Sequence, residues 1–293
     1  MPRTADAKPF TKPLWYWALL VVLVAVIALT AVPAFTVTGG HKLQQPGAED
    51  FFPGAIFGEG TLLEFNRLTL VRVVMGVALC LTVGVVASRI KIVPGRGQAL
   101  LEIVADFVRS NVAFTLLGNK NGRRFAPLLG TLFLGVLAMN LAGVIPGLNI
   151  AASSVVAVPM VFAALTYITF IGAGIREQGV GHFFASQLMP PGLPKVMYLL
   201  ITPIEFLSNF IVRPVTLTLR LLCNMVSGHM LLGMTFFGTT SLLVHLQASS
   251  TISLLTGAAM IVMTLFEIFV AVLQAYIFTI LSAVYIKLSI EAH

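Results

Sequence analysis

The chain has 293 residues, 58% of them hydrophobic and 10% charged, with a net charge of +7. Its mean hydropathy of +0.97 leaves too little polar surface to cover a water-soluble globule of this size. The 18 basic residues are scattered between apolar runs with no basic fold motif, which argues against nucleic-acid binding and makes their distribution a report of topology.

Hydrocarbon requires every backbone N–H and C=O to be satisfied within its own segment, and the apolar runs lack the alternation of a barrel strand. The predicted fold class is therefore all-α, a polytopic transmembrane helical protein. Residues 1–60 read as an N-terminal extension and residues 61–293 as the membrane domain. In the extension, Leu14 to Val32 is long enough to span a bilayer and follows Arg3, Lys8 and Lys12; it reads either as a retained span or as a signal peptide with Ala34 near the cleavage point. The stretch from Gly39 to Gly60, rich in Gly and Pro and carrying Glu49, Asp50 and Glu59, reads as an external loop.

A span is predicted from Leu68 to Ala87, ending at Arg89, Lys91 and Arg96. Pro94-Gly95 then breaks the chain, and an amphipathic helix opens near Gln98. Leu101, Val104, Val108 and Val112 recur at helical spacing while Glu102, Asp106 and Arg109 face elsewhere, so this helix is expected along the membrane surface. Further spans are expected at Phe125 to Ile145 and Ser154 to Gly174. Two longer apolar segments follow, Val196 to Thr239 and Thr251 to Ile286. A continuous helix of that length extends beyond roughly 50 Å against a hydrocarbon core of ~30 Å, so both are expected to be steeply tilted, with Pro203 and Pro214 as kink points in the first.

The basic residues orient these spans. With the first span retained, 13 of the 18 fall on one side, including Arg89, Arg124, Arg176 and Lys287, whereas the opposite loops hold only Lys42. That asymmetry predicts a cytoplasmic amphipathic helix and C-terminus. Arg67 and Arg72 lie near the outer end of their span, within snorkelling reach of the interface. Cys80 and Cys223, in apolar runs, read as small buried hydrophobes, and the sequence offers no metal or cofactor motif.

Chemistry concentrates in the last two segments. In "RPVTLTLRLLCNM" (Arg213 to Met225), Arg220 is a cation that cannot shed its proton, at a cost of ~3 kcal/mol or more at mid-membrane. At about 100° per residue, Thr202, Asn209, Arg213, Thr216, Arg220, Asn224 and Ser227 share one stripe. Such an arginine faces an anion or a water-filled cavity. Either Glu267 pairs with it as packing glue, or its partner belongs to another subunit. His229 projects to the opposite side of the helix from Arg220, and Glu267 and Gln274 share a face of the final segment. A His and a Glu at membrane depth on neighbouring helices are the parts of a proton relay. His41, His182, His245 and His293 fall in loops or at ends. Arg213 lies on the Arg220 stripe nearer the cytoplasmic end and is a candidate for an aqueous access path.

These blocks, together with "SGHMLLG" (Ser227 to Gly233), "LQAYIFTILSAVYI" (Leu273 to Ile286) and "MNLAGVIPG" (Met139 to Gly147), resemble the subunit a family of F-type ATP synthases over Gly60 to Ile290. The resemblance implies that Arg220 is the family's obligatory arginine, with Asn224, Gln274, the exchangeable pair His229 and Glu267, and Glu205 toward the cytoplasmic exit. It further implies a bacterial plasma-membrane subunit with no catalytic site or cofactor of its own. Its partners would be the c-ring, whose carboxylates face Arg220, and the b-type subunits of the peripheral stalk. Cys223, where Gly or Ala is usual, and Ser227, where Ala is common, depart from the family pattern without removing a charge. Two other classes remain in view. A secondary transporter would also bury Arg, Glu and His but is built from repeated halves, which are not evident here. An intramembrane hydrolase has only "SGH" in its favour, and Ser227 and His229 point to different sides of a helix.

Overall fold

The computed structural model describes residues 55–57, 65–91, 94–145, 155–189, 195–244 and 250–291. The Leu14 to Val32 segment, most of the external loop, and His41, His245 and His293 lie outside the described residues. A small antiparallel ribbon, β1 (Ala55–Phe57) on β2 (Phe65–Asn66), leads into α1 (Arg67–Ser88). Beyond it the described elements are helical, and five stretches are long and apolar enough to cross a membrane: Leu68–Ser88, Gly97–Leu141, Ala157–Gln178, Met197–Thr235 and Ile261–Ile290. The chain is a multi-pass helical membrane protein, as composition predicts.

The second of these stretches is two helices. The amphipathic α2 (Arg96–Val108) runs through a π-helical turn, Arg109–Phe114, into α3 (Thr115–Leu141). At Gly118 the backbone takes φ 71°, ψ 179°, a conformation L side chains rarely adopt, and this breaks the helix between surface and span. Gly122 then meets the preceding turn so closely that a Cβ would stand 2.6 Å from Phe114 Cδ1 and 2.9 Å from the Ala113 carbonyl oxygen. Val104 and Val108 of α2 and Val112 of the π turn pack on the core, Leu101 is half-buried outside that cluster, and Glu102, Asp106 and Arg109 are exposed, close to the predicted amphipathic pattern. A second apolar row, Leu100, Ile103 and Phe107, is also exposed and is available to lipid.

After α4 (Ala157–Gln178) comes a short helix that the sequence pattern did not reveal, α5 (Val180–Leu188). His182 lies on it, exposed, rather than in a loop. The first long segment is α6 (Lys195–Phe206), a π-helical turn at Leu207–Val212, and α7 (Arg213–Val244). Pro214 has no N–H to donate back to the preceding turn, and a π turn immediately before it absorbs the missing bond and the crowding of the ring without ending the helix. The second long segment is a single helix of 41 residues, α8 (Ser250–Ile290), about 60 Å at 1.5 Å per residue.

The core centres on α8, against which α3, α4 and α7 pack; Leu132 and Val136 of α3, Ala163 of α4, Leu217 and Leu221 of α7, and Phe278 and Ile286 of α8 belong to one buried cluster. Ala271, Ala275 and Ala283 are fully buried on α8, where small side chains let helices approach closely. Outward faces are apolar: Leu199 is 86% exposed and Ile168 69%, the reverse of a water-soluble protein. Cys80 and Cys223 are exposed on these faces rather than buried, because the helices around them are covered on one side only. Arg72 is half-buried, with Nη2 enclosed by protein.

Polar ties gather three helix ends. Arg124 Nη1, near the start of α3, meets Glu177 Oε1 at the end of α4 at 2.7 Å. At the end of α8, Ser289 Oγ donates to the Phe170 carbonyl, and Gln178 Nε2 donates to the Ser289 carbonyl at 2.8 Å. Arg124, Arg176 and Lys287 therefore belong to one end of the bundle, the grouping that charge counting gives.

Candidate functional site

The site is built on the antiparallel pair α7 and α8. Leu217, Leu221 and Met225 turn inward at 2%, 0% and 1% exposure, so Thr216, Arg220, Asn224 and Ser227 on the same helix must turn outward, and all four are exposed. Helical periodicity alone dictates this, because residues three and four apart share a face. Arg220 forms no ion pair within the described residues, and the intrachain pairing with Glu267 is not made.

The side chains behind Arg220 come together across the helix pair. Asn224 Nδ2 donates to Gln274 Oε1 at 2.6 Å. Glu267 and Gln274 are 4% and 1% exposed, so their shared face is the buried one. Toward the far end, Glu267 Oε1 lies 3.4 Å from where a Cβ on Gly228 would stand, which brings the carboxyl beside the backbone of the residue before His229. His229 is half-buried. Both oxygens of Glu267 are enclosed and have no hydrogen-bond partner among the described residues. Glu267 is in no ion pair among the described residues.

In the other direction along the same register, the Arg213 guanidinium carbon lies 5.5 Å from the centroid of the Tyr285 ring, a cation–π contact. Asn224 and Arg213 are eleven residues apart, as are Tyr285 and Gln274, so the two contacts share one antiparallel alignment. Arg220 sits between them on the outer side.

Glu205, on α6, does not reach this group and belongs to a second cluster. Asn209 Nδ2 donates to Glu205 Oε2 at 3.0 Å and to the Gln187 carbonyl at 2.9 Å, while Tyr167 Oη donates to the Asn209 carbonyl at 2.9 Å. Asn209 is 3% exposed, unlike Thr216 and Arg220, with which the predicted stripe grouped it. The stripe assumes an uninterrupted α-helix, and the π turn at Leu207–Val212 shifts the facing of everything before it. Gln187 and Tyr167 carried no sequence signal: one lies on the unforeseen α5, the other in an apolar run.

Residues 69–287 match the family described as ATP synthase A chain. A relative named ATP synthase subunit a, from Rhodococcus erythropolis, is 37% identical over 262 residues, covering 88% of this chain and 94% of its own. The chain belongs to the ATP synthase A chain family. Relatives of the same name from Pseudarthrobacter chlorophenolicus and Gluconobacter oxydans are 32% identical over 250 residues and 37% over 229 residues. These alignments cover 84% and 78% of this chain, and 93% and 89% of the relatives. The family match takes in both side-chain clusters and leaves out Leu14 to Val32.

Proposed function

We propose that this chain is the proton-conducting subunit a of an F-type ATP synthase, forming two aqueous half-channels beside a rotating ring of c subunits. The observation that carries the reading is an outward-facing, fixed cation, Arg220, whose exposed neighbour Asn224 bonds back to Gln274, buried on α8 with Glu267. A guanidinium on an exposed face at membrane depth needs an anion from elsewhere, and the ring's ionisable carboxylate is such an anion.

In this account protons enter from outside along His229, Glu267, Asn224 and Gln274 and neutralise a ring carboxylate, which then turns into lipid. After nearly a full revolution the carboxylate meets the second half-channel, lined by Glu205 with Arg213 beside it, and releases its proton to the cytoplasm. Arg220 separates the two paths. One proton crossing 100 mV gains about 2.3 kcal/mol, so a direct leak between the half-channels would discard the driving force for rotation. A fixed positive charge repels a passing proton and attracts the ionised carboxylate, serving both needs. The C-terminus is cytoplasmic, and the peripheral stalk's b-type subunits hold the subunit against the ring. Residues 1–60 form the extension and 61–293 the membrane domain.

The test is ATP-driven proton pumping in membrane vesicles. Arg220→Ala abolishes pumping while the subunit still copurifies with the ring; pumping at the normal rate in that variant overturns the reading.

A further inference from the structure

We infer that Asn209 is a positioning residue for Glu205 on the cytoplasmic half of the proton path, an inference that rests on the exit-path reading of Glu205. A glutamate one turn from a π bulge has many rotamers, and a proton-exchanging carboxyl works only if its oxygens stay where the path runs. Asn209 restricts it. Its side-chain amide donates to Glu205 Oε2 at 3.0 Å and is itself pinned by α5, since Nδ2 also donates to the Gln187 carbonyl; separately, the backbone carbonyl of Asn209 accepts from Tyr167 Oη of α4. Gln187 is in turn tied to α8 through Nε2 and the Leu288 carbonyl at 3.5 Å. The carboxyl is thus referenced to α5 through the Asn209 side chain, to α4 through the Asn209 backbone and to α8 through Gln187.

The π turn makes this geometry available. It holds Asn209 at 3% exposure while the arginine face of α7, a few residues on, points outward. Asn209 Oδ1 is enclosed and has no hydrogen-bond partner among the described residues. A buried amide with one donor fixed on a carboxylate and its acceptor open is suited to a site where a donor, water or hydronium, arrives and leaves.

The test is a double-mutant cycle on ATP-driven pumping and on passive proton conduction of F1-stripped vesicles, with recovery of the assembled complex measured in every strain. A hydrogen bond to a charged group is worth about tenfold, so Asn209→Leu lowers both rates about tenfold. In a Glu205→Gln background the same substitution has no further effect, because the carboxylate it positions is gone. The shape-matched pair Asn209→Thr and Asn209→Val keeps the comparison open if the Leu variant assembles poorly: the hydroxyl form conducts faster than the methyl form with Glu205 present, and equally in its absence. A tenfold loss that persists in the Glu205→Gln background, or equal Thr and Val rates with Glu205 present, overturns the inference and leaves the exit path standing. Normal conduction in Glu205→Gln alone overturns the exit-path reading, and the inference with it.

Discussion

Asn224 and Gln274 illustrate how a residue-level contact organises a helix pair. Their 2.6 Å bond is the polar link that sets the register of α7 on α8 near Arg220. In membrane proteins such bonds average about 0.6 kcal/mol and reach about 1.7, so losing one should disturb position more than assembly. Gln274→Leu is therefore expected to leave the complex intact and to slow pumping several-fold, measured as quenching of a pH-sensitive dye in vesicles; unchanged pumping would remove Gln274 from the path. On the proposed entry path, loss of His229 or Glu267 is expected to slow proton uptake less completely than loss of Arg220. The exchanged pair, His229→Glu with Glu267→His, recovers part of the rate. If each single variant is slow and the double variant is no faster, the two do not share a relay. The polar residues were visible in the sequence because charge is rare in such a chain. What spacing could not supply was which of them meet: Asn209 reads as a member of the arginine stripe and instead holds Glu205, and Gln187 and Tyr167 gave no sign at all.

At the scale of elements, the spans were legible because 20 or so apolar residues leave few alternatives: α1, α4 and α8 fall close to where composition puts them, the predicted Val196 to Thr239 segment is α6, the π turn and α7 in succession, and α3 begins ten residues before the predicted Phe125. The nine residues of α5 were not, since so short a stretch shows little periodicity; Phe183, fully buried against Phe170, ties it to α4 by tertiary packing. The junction between α2 and α3 was not marked by the sequence pattern, and its mechanics depend on Gly118 and Gly122. Gly122→Ala forces a methyl against Phe114 and the Ala113 carbonyl and is expected to cost about 1–3 kcal/mol, read as a lower melting temperature in detergent. Gly130→Ala on the same helix meets nothing within 4 Å and serves as the control, expected to be neutral or slightly stabilising. Equal melting of the two variants would contradict the close approach at Gly122.

For the whole molecule, the proposed sidedness is open to a direct test. The Arg124–Glu177 pair and the Ser289 bonds bring together the helix ends that carry Arg124, Arg176 and Lys287, so single cysteines at 124, 176 and 287 in a Cys80- and Cys223-free chain should all be labelled by an impermeant maleimide from the cytoplasmic side only. Labelling of any one from the outside would break the topology. An isolated subunit explains its own core but not an exposed arginine among exposed leucines, and that mismatch is why the sequence and the fold both point beyond the chain. The most direct measurement is the position of the Arg220 guanidinium in an experimental structure of the assembled, membrane-embedded complex. The account predicts a carboxylate from a ring subunit as its nearest acid, at hydrogen-bond distance or across one water. A guanidinium bonded to Glu267 or Glu205 of its own chain and facing no rotor would contradict it.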